Sequence, residues 1–353
     1  MKLFAKIVTC PYLLVLWLRN TCYDWGLMRS VTPDVQTISI GNITVGGTGK
    51  TPHTELVLRL LSHRMPLAVL SRGYKRTTKG FRYVNPNDSA SDAGDEPLQI
   101  KRKFPSVVVA VCANRIAAIK QIAKDYPHIK LVVLDDSFQY RKLKPTYSIL
   151  LSDYHRPYTQ DLLLPFGRLR DLPSQASRAD MVIVTKSPRS LSPANREVQQ
   201  QALCPKPHQQ WLFTTFVCGA PSPLFGEELL PCAANEIIAL TGIAQPKPFL
   251  QEVSKLGSVV QHLQFGDHHR FSQRESARIN ATVAQYPHAV IYTTEKDAMR
   301  LLEAKNLSQE TKAALYYIPI QAEFCTAEEG DQFFRILQQK GAINFSISYN
   351  TGG

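Results

Sequence analysis

The sequence predicts an α/β protein: a mostly parallel sheet with helices on both faces, a second, smaller α/β domain, and an N-terminal interfacial helix. Three observations predict it. From Val35 onward, short β-branched runs alternate with longer helical patterns, as stacked βα units do. A glycine-rich turn closes the first of these strands and opens a helix. A second series of strands then follows a Pro- and Gly-rich stretch, Gly219–Ala234, that reads as a linker.

The N-terminal segment, residues 1–34, comes first. Lys2 and Lys6 precede the apolar run Ile7–Leu18, which Arg19 closes. The run is too short to span roughly 30 Å of hydrocarbon, and no small-residue cleavage site follows it. Basic flanks with Tyr12 and Trp17 fit a helix lying in a membrane interface. A helix packed on the domain core is the competing reading. Next comes the main domain, residues 35–218, with strands expected at Gln36–Ile40, Leu67–Leu70, Ser106–Val111, Lys130–Leu134, Tyr147–Leu151, Met181–Val184 and Trp211–Thr215. Helices are expected to begin near Lys50, Glu96, Arg115 and Pro193. After the linker, residues 219–235, the smaller domain (236–353) has strands expected at Glu236–Leu240, Val259–Leu263, Val290–Thr293 and Leu315–Ile318. Its helices are expected near Pro246–Leu256 and Ser272–Tyr286, and the domain should complete a cleft with the first.

Composition sets limits on function. At 353 residues, 44% apolar and 20% charged, the chain can bury two cores and is not a disordered tail. The formal charge of +12 calls for an anionic partner, whether nucleic acid, phosphorylated substrate or acidic headgroups, unless it is only a solvated basic surface. Seven cysteines, odd in number and never spaced C-x-x-C, argue against a disulfide framework or a zinc site and for a reducing compartment.

The strand Gln36–Ile40 runs into Gly41-Asn42-Ile43-Thr44-Val45-Gly46-Gly47-Thr48-Gly49-Lys50-Thr51. This is a phosphate-binding loop of the P-loop NTPase type. Backbone N–H groups from Thr44 to Thr51 face phosphate oxygens, Lys50 reaches the β- and γ-phosphates, and the Thr51 hydroxyl binds Mg²⁺ at a helix N-terminus. The strict pattern wants glycine where Thr44 stands, so the loop is a variant, and an ordinary Gly-rich βα turn is its rival. A second strand ends in Asp135-Asp136, as a Walker-B-type Mg²⁺ site does; taken alone the pair could be a plain strand-to-loop turn, but beside the glycine-rich loop the metal reading dominates. Such an acid lies in the crevice where parallel sheets bind ligands.

Together the motifs resemble the tetraacyldisaccharide 4′-kinase family, the lipid A 4′-kinases of Gram-negative bacteria. The likeness runs from Ile40 to about Leu302. It rests on the loop Gly41–Pro52, L-S-R-G-Y (Leu70–Tyr74), G-D-E-P (Gly94–Pro97) and D-D-x-F-Q (Asp135–Gln139). Further blocks are L-L-P-x-G-x-L-R (Leu163–Arg170), R-A-D (Arg178–Asp180), T-G-I-A-x-P (Thr241–Pro246), F-x-D-H-H (Phe265–His269) and T-T-E-K-D-A-x-R-L (Thr293–Leu301). The resemblance implies ATP and Mg²⁺, with Lys50 and Thr51 on the phosphates and metal and Asp135 and Asp136 on the metal. It implies that Asp95 and His268 act together as the base on the sugar 4′-hydroxyl. The acceptor would be lipid A disaccharide-1-phosphate, the product lipid IVA, and the site of action the cytoplasmic face of the bacterial inner membrane, reached by a peripheral N-terminal helix and a monomeric protein. Ser137 and Tyr140 depart from the family's D-D-G/A-F-Q-H block.

The chemistry is consistent with that reading on its own terms. Phosphoryl transfer is mostly positioning and charge stabilisation, and a sugar hydroxyl needs a group to take its proton. Arg72, Arg115 and Arg170 are candidate phosphate clamps, and Glu96 and Gln139 complete the substrate-side candidates. Asp267-His268-His269 has metal-ligand and plain-loop readings as competitors. A membrane-associated regulatory P-loop NTPase is the main rival function. Thr185-Lys186-Ser187-Pro188, with proline where a guanine-reading acid should stand, counts against GTP. A nucleic-acid binder would show a zinc finger, helix-turn-helix or stacking motif, and none is present.

Overall fold

Apolar runs without alternation mark strands buried on both faces, and the strands at the centre of this protein are of that kind. The computed structural model describes residues 2–226, 235–267 and 269–343. The chain begins with α1 (Lys2–Asp24), β1 (Gln36–Gly41), α2 (Lys50–Leu61), β2 (Leu67–Ser71), β3 (Arg82–Tyr83), α3 (Ala90–Ala93) and α4 (Asp95–Lys103). It continues through β4 (Val108–Val111), α5 (Arg115–Asp125), β5 (Leu131–Asp135), β6 (Tyr147–Asp153), β7 (Met181–Thr185), α6 (Pro193–Ala202) and β8 (Gln210–Cys218). Beyond lie β9 (Ser222–Pro223), β10 (Glu236–Thr241), α7 (Lys247–Val253), β11 (Ser258–Gln264), α8 (Gln273–Gln285), β12 (Val290–Thr294) and α9 (Glu295–Leu301). The last elements are α10 (Gln309–Ala313), β13 (Leu315–Ile318), β14 (Ile320–Phe324) and α11 (Ala327–Gln339).

Among the described residues the strands form a nine-stranded sheet, β14-β8-β7-β6-β1-β5-β2-β4-β3, and a five-stranded sheet, β11-β10-β12-β13-β9. From β8 to β4 the large sheet is parallel, so both faces need helical cover. Its central strand, β1, lies between β5 and β6, with Ile40 opposite Asp135 and Gly41 opposite Leu150. That register brings the loop after β1 and the acids after β5 out side by side at the carboxyl ends of the strands, where open α/β sheets bind ligands.

All eleven expected strands form, with ends shifted by a few residues. The C-terminal return is different from the simple division at residue 236. Past β13 the chain turns at Pro319, and β14 pairs antiparallel with β8 of the large sheet, Ile320 opposite Cys218. Helix α11 follows onto that sheet with a capping box from Thr326 and Glu329. Phe333 and Leu337 are fully buried there, each contributing roughly 1.5–3 kcal/mol. Glu329 also pairs with Arg196 at 2.7 Å and accepts from the Phe213 amide at 2.8 Å. An uncovered β8 edge would leave a row of unpaired backbone groups, which β14 satisfies.

Helix α1 docks through its C-terminal half. The Tyr12 hydroxyl donates to the Arg170 carbonyl at 3.1 Å, Arg19 to the Gln139 carbonyl at 2.8 Å, and Asn20 to Asp171 at 2.8 Å. Leu16 is buried, whereas Leu14, Val15 and Leu18 are more than half exposed and Trp17 is half exposed. No helix among the described residues is long and apolar enough to cross a membrane.

Candidate active site

The loop between β1 and α2 is shaped by two left-handed glycines, Gly46 (φ 102°) and Gly49 (φ 90°). A Cβ on Gly49 would lie 2.3 Å from the Phe216 ring, so no side chain fits without displacing it. The loop is also held from outside. The Val45 amide donates to the Arg168 carbonyl at 2.7 Å, and Asn42 donates to the Thr48 hydroxyl at 2.6 Å. His53, one turn into α2, bonds the Gly49 carbonyl at 2.7 Å through Nδ1 and the Thr214 hydroxyl at 2.8 Å through Nε2. Because a carbonyl only accepts, Nδ1 carries the proton and Nε2 accepts. Burial lowers the His53 pKa to about 4, which keeps the ring neutral.

Beside the loop, the two acids differ in environment. Asp135 is buried at the end of β5, its carboxylate accepting from Thr54 at 3.1 Å and Ser71 at 3.2 Å. Burial raises its pKa to about 6, helped by Asp136 and Glu96. Asp136 adopts a left-handed φ of 44° and turns its carboxylate to Arg170 and to Lys50, whose Nζ stands 3.8 Å away. Burial pushes Asp136 up, but Lys50, Arg170 and Arg115 outweigh it and hold the carboxyl below the usual range. Lys50 is lowered by its own burial, against the pull of Asp136. Arg170 also reaches Asn42 Oδ1 at 2.5 Å, joining the acid to the loop.

The opposite wall comes from α4 and α9. Asp95 opens α4, and Arg300 Nε lies 3.1 Å from its carboxylate. Glu96 accepts from Lys296 at 2.6 Å. Burial pulls Lys296 down, but Glu96, Asp95 and Asp135 together raise it above the usual lysine range. Deeper in, Lys103 pairs with Glu55 of α2 at 2.7 Å and with Glu295 of α9 at 2.9 Å.

Lys50, Thr51, Asp135, Asp136 and Arg170 therefore meet at one place, and Lys296, which feels Glu96, Asp95 and Asp135 alike, links the acids of α4 to them. Arg115 is buried behind the acids, donating to the Asp136 carbonyl at 2.9 Å and lying over the Tyr140 ring at 5.0 Å from its centroid. It supports the acids' backbone, which the expectation of a phosphate clamp did not include. Arg72 is exposed. The Gln139 carbonyl receives Arg19, and its side-chain nitrogen is buried without a hydrogen-bond partner among the described residues. His268 lies outside the described residues. Sequence reasoning quoted Lys296, Asp297 and Arg300 in a motif without giving them a task. The signal available was Lys296 and Arg300, one helical turn apart, whose acidic partners Glu96 and Asp95 lie on α4.

The donor set fits Mg²⁺. This ion is commonly held by one or two carboxylates together with nucleotide oxygens and water, and Thr51, Asp135 and Asp136 offer a hydroxyl and two acids. No cage of three or more His, Cys, Asp or Glu side chains exists among the described residues, as a shared metal–nucleotide site requires none.

A family model described as tetraacyldisaccharide-1-P 4′-kinase matches residues 1–340. The tetraacyldisaccharide 4′-kinase of Bacteroides thetaiotaomicron is 42% identical over 341 residues, covering 92% of this chain and 90% of its own. That of Porphyromonas gingivalis is 39% identical over 335 residues, covering 92% and 94%. In fold, the chain is similar to LpxK from Aquifex aeolicus, crystallised in complex with ATP, with a TM-score of 0.73 at 23% identity over 95% of this chain and 99% of that one. A match that runs the length of the chain, on top of the loop and acids described above, means that this protein belongs to the tetraacyldisaccharide 4′-kinase family.

Proposed function

We propose that the protein transfers the γ-phosphoryl group of ATP to the 4′-hydroxyl of tetraacyldisaccharide 1-phosphate, giving lipid IVA in lipid A biosynthesis. The kinase activity follows from family membership. The observation that supports the mechanism is the cluster of Lys50, Asp136 and Arg170, to which Lys296 links Glu96 and Asp95 by lying close enough to feel Asp135 as well. Lys50 and the loop amides from Thr44 to Thr51 hold the phosphates, and Arg170 adds positive charge where negative charge builds. Asp95 accepts the proton of the acceptor hydroxyl, with His268 sharing it. Thr51, Asp135 and Asp136 would hold Mg²⁺, which would supply positive charge to neutralise the transferring phosphates.

The acceptor is a lipid, and the exposed apolar residues of α1 support work at a membrane surface. Leu13, Leu14, Val15, Trp17 and Leu18 continue into exposed Trp25, Leu27 and Met28. This is the amphipathic arrangement of a peripheral anchor, suited to the anionic cytoplasmic face of the bacterial inner membrane given the net charge of +12. Incubation with γ-labelled ATP and lipid A disaccharide-1-phosphate should move the label to the lipid. ATP hydrolysis at the same rate without the acceptor, and no labelled lipid, would refute the reading in favour of a regulatory NTPase.

A further inference from the structure

Helices α4 and α9 face each other through three ion pairs. Asp95 pairs with Arg300 at 3.1 Å, Glu96 with Lys296 at 2.6 Å, and Lys103 with Glu295 at 2.9 Å. Residue numbers rise along one helix as they fall along the other, so the two run antiparallel. Of these rungs, the first touches the proposed base.

Arg300 is the most constrained member. Its side chain is 4% exposed. Beyond Asp95, its Nη1 lies 3.1 Å from Asp297 Oδ1 and donates to the carbonyls of Gly242 at 3.2 Å and His269 at 3.4 Å. Asp297 is itself fixed, accepting from the Gly242 amide at 2.9 Å and the Thr294 hydroxyl at 2.7 Å. One guanidinium thus joins the first residue of α4 to two turns of the small sheet. In the sequence His269 directly follows His268, the residue that the proposed mechanism pairs with Asp95. Nη1 makes both of these hydrogen bonds while Nε faces Asp95 at ion-pair distance, a spread of charge and donors over two nitrogens that a single ammonium lacks.

We propose that Arg300 is a positioning residue for phosphoryl transfer: it ties the Asp95 carboxylate to the Gly242 and His269 backbone and so sets the placement of Asp95 relative to the small sheet. The inference rests on the reading of Asp95 and His268 given above. Misplacing a reacting group by about 1 Å costs on the order of a hundredfold in rate, so the effect belongs in kcat rather than in nucleotide binding.

The test is steady-state transfer of labelled phosphate to lipid A disaccharide-1-phosphate by wild type, Arg300→Gln, Arg300→Lys, Asp95→Asn and the Arg300→Gln/Asp95→Asn double variant, each with its Tm. Arg300→Gln should lower kcat roughly a hundredfold with KM for ATP within about twofold. Arg300→Lys, keeping the charge but not the fork, should recover part of that loss. The double variant should be no slower than Asp95→Asn within about twofold, because groups acting as a unit are non-additive. If Arg300→Gln does not fold, Arg300→Lys carries the same cycle. Wild-type kcat in the folded Arg300 variant would overturn the proposal, as would losses that multiply with Asp95→Asn, or a lowered Tm with kcat intact. Wild-type kcat in Asp95→Asn would instead refute the base itself.

Discussion

Replacing His53 with glutamine should flatten the acid side of the protein's stability profile. The ring is fully enclosed between Gly49 and Thr214, and burial takes its pKa from 6.5 to about 4. The folded state then binds fewer protons than the unfolded chain in this window. Stability is complete above pH 6.5 and is lost as pH falls toward 4, where the folded ring protonates as well. At 1.36 kcal/mol per pH unit, this one residue removes about 2 kcal/mol between neutral pH and pH 5, and about 3 kcal/mol in full. The assay is urea unfolding of wild type and His53→Gln from pH 8 to pH 5. The difference between their unfolding free energies should change by about 2 kcal/mol over that range. Parallel profiles would refute the assignment of a neutral, proton-excluding ring beneath the phosphate loop.

Three further outcomes are expected. Lys50→Ala should lower kcat by about a thousandfold with the fold retained, since Lys50 is the loop's own cation on the transferring group; wild-type turnover by the folded variant would remove the loop from the site. Leu14→Glu with Leu18→Glu, both changes on exposed α1 positions, should release the protein from anionic vesicles and raise KM for lipid well above any change in KM for ATP. Unchanged co-sedimentation would refute the membrane placement. Lys103→Met should cost about 3 kcal/mol in unfolding free energy, because it strands Glu55, whose side chain is fully buried, beside Glu295. Adding Glu55→Gln should restore part of that loss.

The phosphate loop, the double acid and most strands were legible because each is a local pattern: glycines that turn a chain, a lysine one residue past the last of them, and an apolar run ending in acids. The register Ile40 to Asp135 that makes these one site is a sheet property; from the sequence each segment reads only as the carboxyl end of a parallel strand, where such sheets bind ligands. Other features depended on partners far away in sequence. The α4–α9 ion pairs join residues 200 apart, as for Glu96 and Lys296. Nothing near either residue specifies the other. The strand Ile320–Phe324 found its partner in the large sheet because β8 offered an open edge. Arg115 became a support behind the acids because Tyr140 and the Asp136 carbonyl occupy its reach. Sequence alone pointed to the chemistry this protein carries, since the proposed phosphate and metal ligands sit on short contiguous motifs. The tertiary structure alone decided how the acid at the head of α4 is held against the second sheet, because a buried charge is fixed by whichever partners the packing brings within about 3 Å.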